Sequence, residues 1–145
     1  LRANPTRYEF ARSGPLIDLR VVLAVGLGAA IGGMLRLLLT QLAVARLGAG
    51  SAFYATLFIN VSGSFLIGVV IALSQGRADF NPLWRWFLAT GILGGYTTFS
   101  TFSYEAIVLG GEGLYLTAAG YVLGSAVLGI GGAAAGVALA KSLVR

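Results

Sequence analysis

Cysteine and histidine are both absent from this chain of 145 residues. Their absence excludes disulfides, thiolate nucleophiles, imidazole bases and the zinc sites built from either residue. Acidic residues are nearly as scarce: Glu9, Asp18, Asp79, Glu105 and Glu112 are the whole set. Four of them lie in or near polar connections, which leaves no paired acid and base for chemistry. A membrane enzyme is therefore the poorest fit. Charge of either sign is thin, at 10% of residues, where a soluble domain carries about 25%.

Apolar residues are what the chain has in excess. They make up 57% of it, and the mean hydropathy is +0.87. Such a chain cannot cover itself in polar surface, so its simplest solvent is lipid. The net charge of +5 does not point to a nucleic-acid partner. The basic residues flank apolar runs, where they act as topology anchors.

Residues 1–18 form a polar tail without an apolar run, expected to be a short surface helix or partly disordered rather than a secretory signal. Residues 19–145 then predict an all-α integral membrane protein of four transmembrane helices. The first runs from about Leu19 to Leu39, followed by a link with Arg46, Gly48 and Gly50. The second runs from about Ala52 to Leu73. Ser74 to Pro82 is a loop of turn formers. The third begins near Leu83, with Trp84 and Trp86 at interfacial depth, and ends near Leu109. The fourth covers about Leu114 to Leu139. Both termini then share a side with the 74–82 loop. Arg2, Arg7, Arg12, Arg20, Arg77, Arg85, Lys141 and Arg145 fall on that side, and Arg46 alone falls on the other. The positive-inside rule makes the termini cytoplasmic in a cell membrane. Glycines four apart, such as Gly28 with Gly32, Gly120 with Gly124 and Gly132 with Gly136, predict close helix packing. So small a bundle forms a pore more easily between two copies than within one.

The third span holds the least lipid-like stretch, Gly94 to Ser103. Paired glycines cost roughly 1 kcal/mol each in a helix, and Ser and Thr hydroxyls compete for its backbone groups. The span is therefore expected to break here, and irregular backbone at membrane depth recurs at ion sites. Freed carbonyls suit a hard cation such as sodium. Phe99 and Phe102 share a face and offer ring edges, which are positive, to a small anion. Packing is the alternative role for both rings. Asn60 in the second span, with Ser64 one turn on, and Tyr121, Ser125 and Gly129 at intervals of four in the fourth, add polar or small positions. Interhelical hydrogen bonding is the alternative for each. Arg36 is the one charge deep in the first span. It suits either an anion-attracting vestibule or a tether to backbone carbonyls or Glu105.

The run GGYTTFSTFSYE, Gly94 to Glu105, closely resembles the signature of the Fluc (also called CrcB) fluoride channels. GAAIGGMLR, Gly28 to Arg36, and TLFINVSGSFLIG, Thr56 to Gly68, are similar to that family's first and second helices. The resemblance implies an antiparallel, dual-topology dimer with two narrow pathways that export fluoride passively across the bacterial membrane. It implies pathway roles for Phe99, Phe102, Asn60, Tyr121 and Ser125. Gly129 stands where some members have a further hydroxyl. It also implies a structural sodium ion at the dimer centre, on the backbone carbonyls of Gly94 and Thr97. The uneven distribution of positive charge predicts instead that this subunit has one fixed orientation and pairs with an oppositely oriented paralogue. A four-span multidrug transporter does not fit, because it needs a carboxylate in the first span and none lies between Val21 and Leu39. An accessory membrane protein without a pathway leaves the cluster around the broken span unexplained.

Overall fold

A computed structural model of the chain describes residues 17–77 and 79–144. The expectations for the tail, apart from its last two residues, and the charge of Arg145 lie outside the described residues. Every regular element among them is helical.

Helix α1 (Leu19–Leu47) is capped by Asp18, whose carboxylate accepts from the Arg20 N–H at 2.9 Å. It runs two turns beyond the expected end at Leu39, so Arg46 lies in its last turn and not in a link. The reason is local: Thr40 to Leu47 holds no helix breaker, and Gly48, at φ 92°, is the first residue able to turn the chain. A short 3₁₀ turn (Ala49–Ser51) leads into α2 (Ala52–Gly76). Asn81 caps α3 (Pro82–Arg85), where Pro82 at the first turn is pre-set for helix. The helix then widens into a π-helical stretch, Trp86–Leu93, and tightens again into a single turn, α4 (Gly94–Tyr96). After two extended residues, Thr97 and Thr98, comes α5 (Phe99–Gly111). Gly113, at φ 78°, turns the chain into α6 (Tyr115–Leu143).

Two helix pairs make up the body. α1 lies against the π-helical stretch and α4, and α2 lies against α6. Glycine sets both approaches. A Cβ on Gly32 would collide with the Ile92 carbonyl, and one on Gly95 would strike the Ala29 backbone. A Cβ on Gly136 would meet the Phe65 carbonyl, and one on Gly132 would come within 3.1 Å of the Val61 carbonyl. Backbones this close gain dispersion contact that a larger residue would forbid. Gly120 and Gly124 behave differently, since nothing lies within 4 Å of either.

Among the described residues the main buried cluster is small: Ile59, Leu93 and Tyr96, with Leu39 and Val70 against them. Most Leu, Ile and Val side chains on α1 and α6 face outward. A water-soluble fold buries such residues, and a lipid-solvated one does not need to. Among the described residues three helical segments are long and apolar enough to cross a membrane: Leu19–Leu47, Ala49–Gly76 and Tyr115–Leu143. The chain from Pro82 to Gly111 is interrupted, so neither of its parts reaches that length.

Candidate functional site

The interruption falls at Thr97 and Thr98, with Tyr96 between it and the paired glycines. It lies inside the Gly94 to Ser103 stretch expected to break, while Gly94 and Gly95 themselves sit in a helical turn. Gly95 is needed there for its approach to Ala29. Thr97 (φ −78°, ψ 158°) and Thr98 (φ −148°, ψ 121°) are both extended.

Buried backbone groups need partners, and here they can be traced one by one. In an unbroken helix the Thr98 N–H would bond to Gly94. Instead it donates to the Asn60 side-chain oxygen at 2.8 Å, while Asn60 Nδ2 donates to the Thr98 carbonyl at 2.9 Å. One amide side chain on α2 thus pairs with both backbone groups of the break. The Thr97 carbonyl would have accepted from Thr101, whose N–H donates to Thr98 Oγ1 at 3.2 Å as the cap of α5. Arg36 takes its place, donating to the Thr97 carbonyl at 3.2 Å. Of the two roles open to Arg36 in the sequence, the tether is the contact observed.

Beside the break lies an open groove of about 640 Å³ between α2, α4–α5 and α6. Asn60, Phe99, Phe102, Ser125, Gly94 and Thr97 all line it, drawn from three separate parts of the chain. Ser64 and Gly129 line it too, and among the described residues no charged side chain does. Phe99 is 79% exposed. Its ring leans on Phe102 with centroids 5.7 Å apart, and Phe102 meets Tyr121 at 5.2 Å. Donors remain unspent, the Ser64 hydroxyl among them. Asn60 Nδ2 carries two hydrogens and Thr98 takes one. Ser125 Oγ is buried without a hydrogen-bond partner. Unpaired buried hydroxyls are uncommon and call for a ligand or water.

Tyr121 is not on the groove wall. Its hydroxyl donates to Glu105 at 2.6 Å, and Thr56 donates to the other carboxylate oxygen at 2.9 Å. Phe53 closes over Tyr121 edge-on at 5.8 Å. Thr56 is absent from the candidates that the sequence offers, and Glu105 enters them only as a tether partner for Arg36. One signal was available: Glu105 is the single carboxylate well inside an apolar stretch, and such residues are held by partners or mark function.

An all-helical body with an apolar exterior, folded around a broken helix and an uncharged groove, defines a membrane protein. Residues 23–137 match the family described as "CrcB-like protein, Camphor Resistance (CrcB)", and the chain belongs to that family. A protein of Methylobacterium nodulans named fluoride-specific ion channel FluC is 47% identical over 119 residues, covering 82% of this chain and 94% of its own. A protein of the same name from Rhizobium meliloti is 43% identical, covering 85% of this chain and 98% of its own. Another from Aquifex aeolicus is 46% identical with the same coverage. The family read from the Gly94–Glu105 run is thereby established.

Proposed function

We propose that this chain is a subunit of a passive, fluoride-selective channel that exports fluoride across the bacterial cell membrane and so lowers the cytoplasmic concentration. The observation that carries the proposal is the groove. Asn60, Ser125, Phe99 and Phe102 meet on its walls with donors to spare and no charge. Moving a small ion into a medium of ε ≈ 4 costs on the order of 20 kcal/mol by the Born estimate. Neutral donors and ring edges offset that without holding the anion as tightly as a fixed cation would. The names of the relatives favour fluoride as that ion. Among the described residues the groove lining is of neutral side chains, and a passive pathway needs no titrating group there.

The pathway we infer runs along Phe99, Asn60 and Ser125 to Phe102 and Tyr121. Arg36 keeps the break in place and adds positive potential near its mouth. The interrupted stretch Pro82–Gly111 serves as the third of four spans, its two halves together crossing the bilayer. An antiparallel dimer would cover the open groove, formed either by two copies in dual topology or by this chain with an oppositely oriented paralogue. The termini are cytoplasmic if the orientation is fixed.

Sodium fits the break. Gly94 loses its helical donor when the Thr98 N–H turns to Asn60. The Thr97 carbonyl has two lone pairs, and Arg36 uses one. Sodium there would add positive charge at the dimer centre, held by the Gly94 and Thr97 carbonyls of each subunit.

Ion efflux from liposomes holding the purified protein tests the proposal. Fluoride should leave and chloride should not, and Phe99→Ile or Phe102→Ile should abolish the flux. Equal efflux of both halides would refute selectivity.

A further inference from the structure

Away from the groove, a second crevice runs down the outside of the α1–α2 pair. It encloses about 370 Å³, and Leu39, Leu42, Phe58, Tyr54 and Arg46 are among its walls. This volume is within the range that holds small organic ligands. Its lining is apolar except at one end. Arg46, in the last turn of α1, closes that end, with Tyr54 opposite it near the start of α2. The ring of Phe53 lies 4.0 Å from that of Tyr54. Ser51 also lines the crevice, but its hydroxyl is used on the Gly48 carbonyl at 2.7 Å.

The dimensions match one leaflet. Arg46 and Leu39 are seven residues apart on one helix, about 10 Å along its axis. That is roughly two-thirds of half the ~30 Å hydrocarbon core. The crevice therefore begins at headgroup level and descends among the acyl chains. Arginine presents a planar fork that binds phosphate through two parallel hydrogen bonds. Tyrosine prefers headgroup depth.

We propose that this crevice is a binding site for one anionic phospholipid, its phosphate on Arg46 and one acyl chain between Leu39, Leu42 and Phe58. Charge separates this occupant from a second copy of the chain. A parallel copy meeting this face with its own would bring another Arg46 against the first. An antiparallel copy would bring the end that carries Arg20, Arg77, Arg85 and Lys141. Both add positive charge to positive charge, and a phosphodiester neutralises it. The site also gives a reason for the only cation that the sequence places at this end of the molecule.

Native mass spectrometry of the full chain tests this without reference to ion flow. The protein is released from detergent micelles holding equal amounts of phosphatidylglycerol and phosphatidylcholine. The native chain should retain phosphatidylglycerol in preference. Arg46→Gln should weaken that retention about fivefold, the contribution of one basic residue beside an anionic lipid surface. Leu42→Trp, which fills the crevice, should lower retention of both lipids, and Arg85→Gln at the opposite end should change nothing. Equal retention of the two lipids by the native chain would overturn the proposal. So would an Arg46→Gln protein that keeps the preference, or an Arg85→Gln protein that loses it. The chain has no cysteine, so a disulfide-linked dimer of Phe58→Cys formed in membranes would assign the crevice to a second copy instead.

Discussion

Asn60 and Ser125 line the same groove, yet their side chains are in opposite states. Asn60 spends one donor and its acceptor on Thr98, which is 7% exposed. Asn60→Leu would strand a buried N–H and a buried carbonyl, each costing about 1–3 kcal/mol. The variant should unfold at a distinctly lower temperature in detergent and lose fluoride efflux along with its fold. Ser125 Oγ has no partner to strand. Ser125→Ala should therefore leave thermal stability unchanged or raise it by up to about 1 kcal/mol. Losing a donor of about 1.4 kcal/mol to the passing ion would slow fluoride efflux about tenfold. If Ser125→Ala conducts as the native chain does, the ion does not touch that hydroxyl. The sequence presents both residues only as polar positions on apolar helices. The distinction between them is set by a backbone group 38 residues from Asn60, and no local pattern carries it.

At the level of elements, small residues decide how the helices meet, though not every one of them takes part. Gly32→Ala would push α1 off the Ile92 backbone and displace the stretch that leads into the break. Overpacking of this kind costs about 1–3 kcal/mol. Gly33→Ala, with open space around it, should be neutral or slightly stabilising because alanine is the better helix former. Thermal unfolding of the two variants in detergent would separate them, and equal loss would mean that the close approach is not limiting. Glycine spacing alone marks Gly120 and Gly124 as readily as Gly28 and Gly32, since period four records a shared face and not what lies against it. The broken third helix was legible, since the kink falls within the Gly94 to Ser103 stretch expected to break. Gly-Gly and the Ser/Thr cluster announce weak helix, and within that stretch Gly95 stays helical against Ala29 while the backbone extends at Thr97 and Thr98. The π-helical stretch left no mark, being a plain apolar run. The pairing of Glu105 with Thr56 and Tyr121 was not legible because those partners come from other helices, 49 and 16 residues away.

For the whole molecule, charge gives the orientation a test. Arg20, Arg77, Arg85 and Lys141 stand at one end of the described chain and Arg46 at the other. The absence of cysteine allows single thiols to report sidedness. In intact cells a membrane-impermeant maleimide should label Glu112→Cys and spare Asp79→Cys, with the reverse in inverted vesicles. Labelling of both positions from both sides would mean that the chain inserts either way, as a dual-topology subunit does. Length, composition and the apolar runs made the membrane solvent legible from the outset. Composition and spacing did not carry the meeting of three chain segments at one groove, because it depends on tertiary packing, and only the family resemblance implied it. Asn60 closes the kink in the way a neighbouring strand would, so the bend holds its shape without solvent. An ion crossing the groove would then find a finished surface that needs no rearrangement on arrival or departure. It would be offered only leftover valences, an amide hydrogen and the hydroxyls of Ser64 and Ser125 among ring rims, and so loose a grip favours rapid turnover over storage.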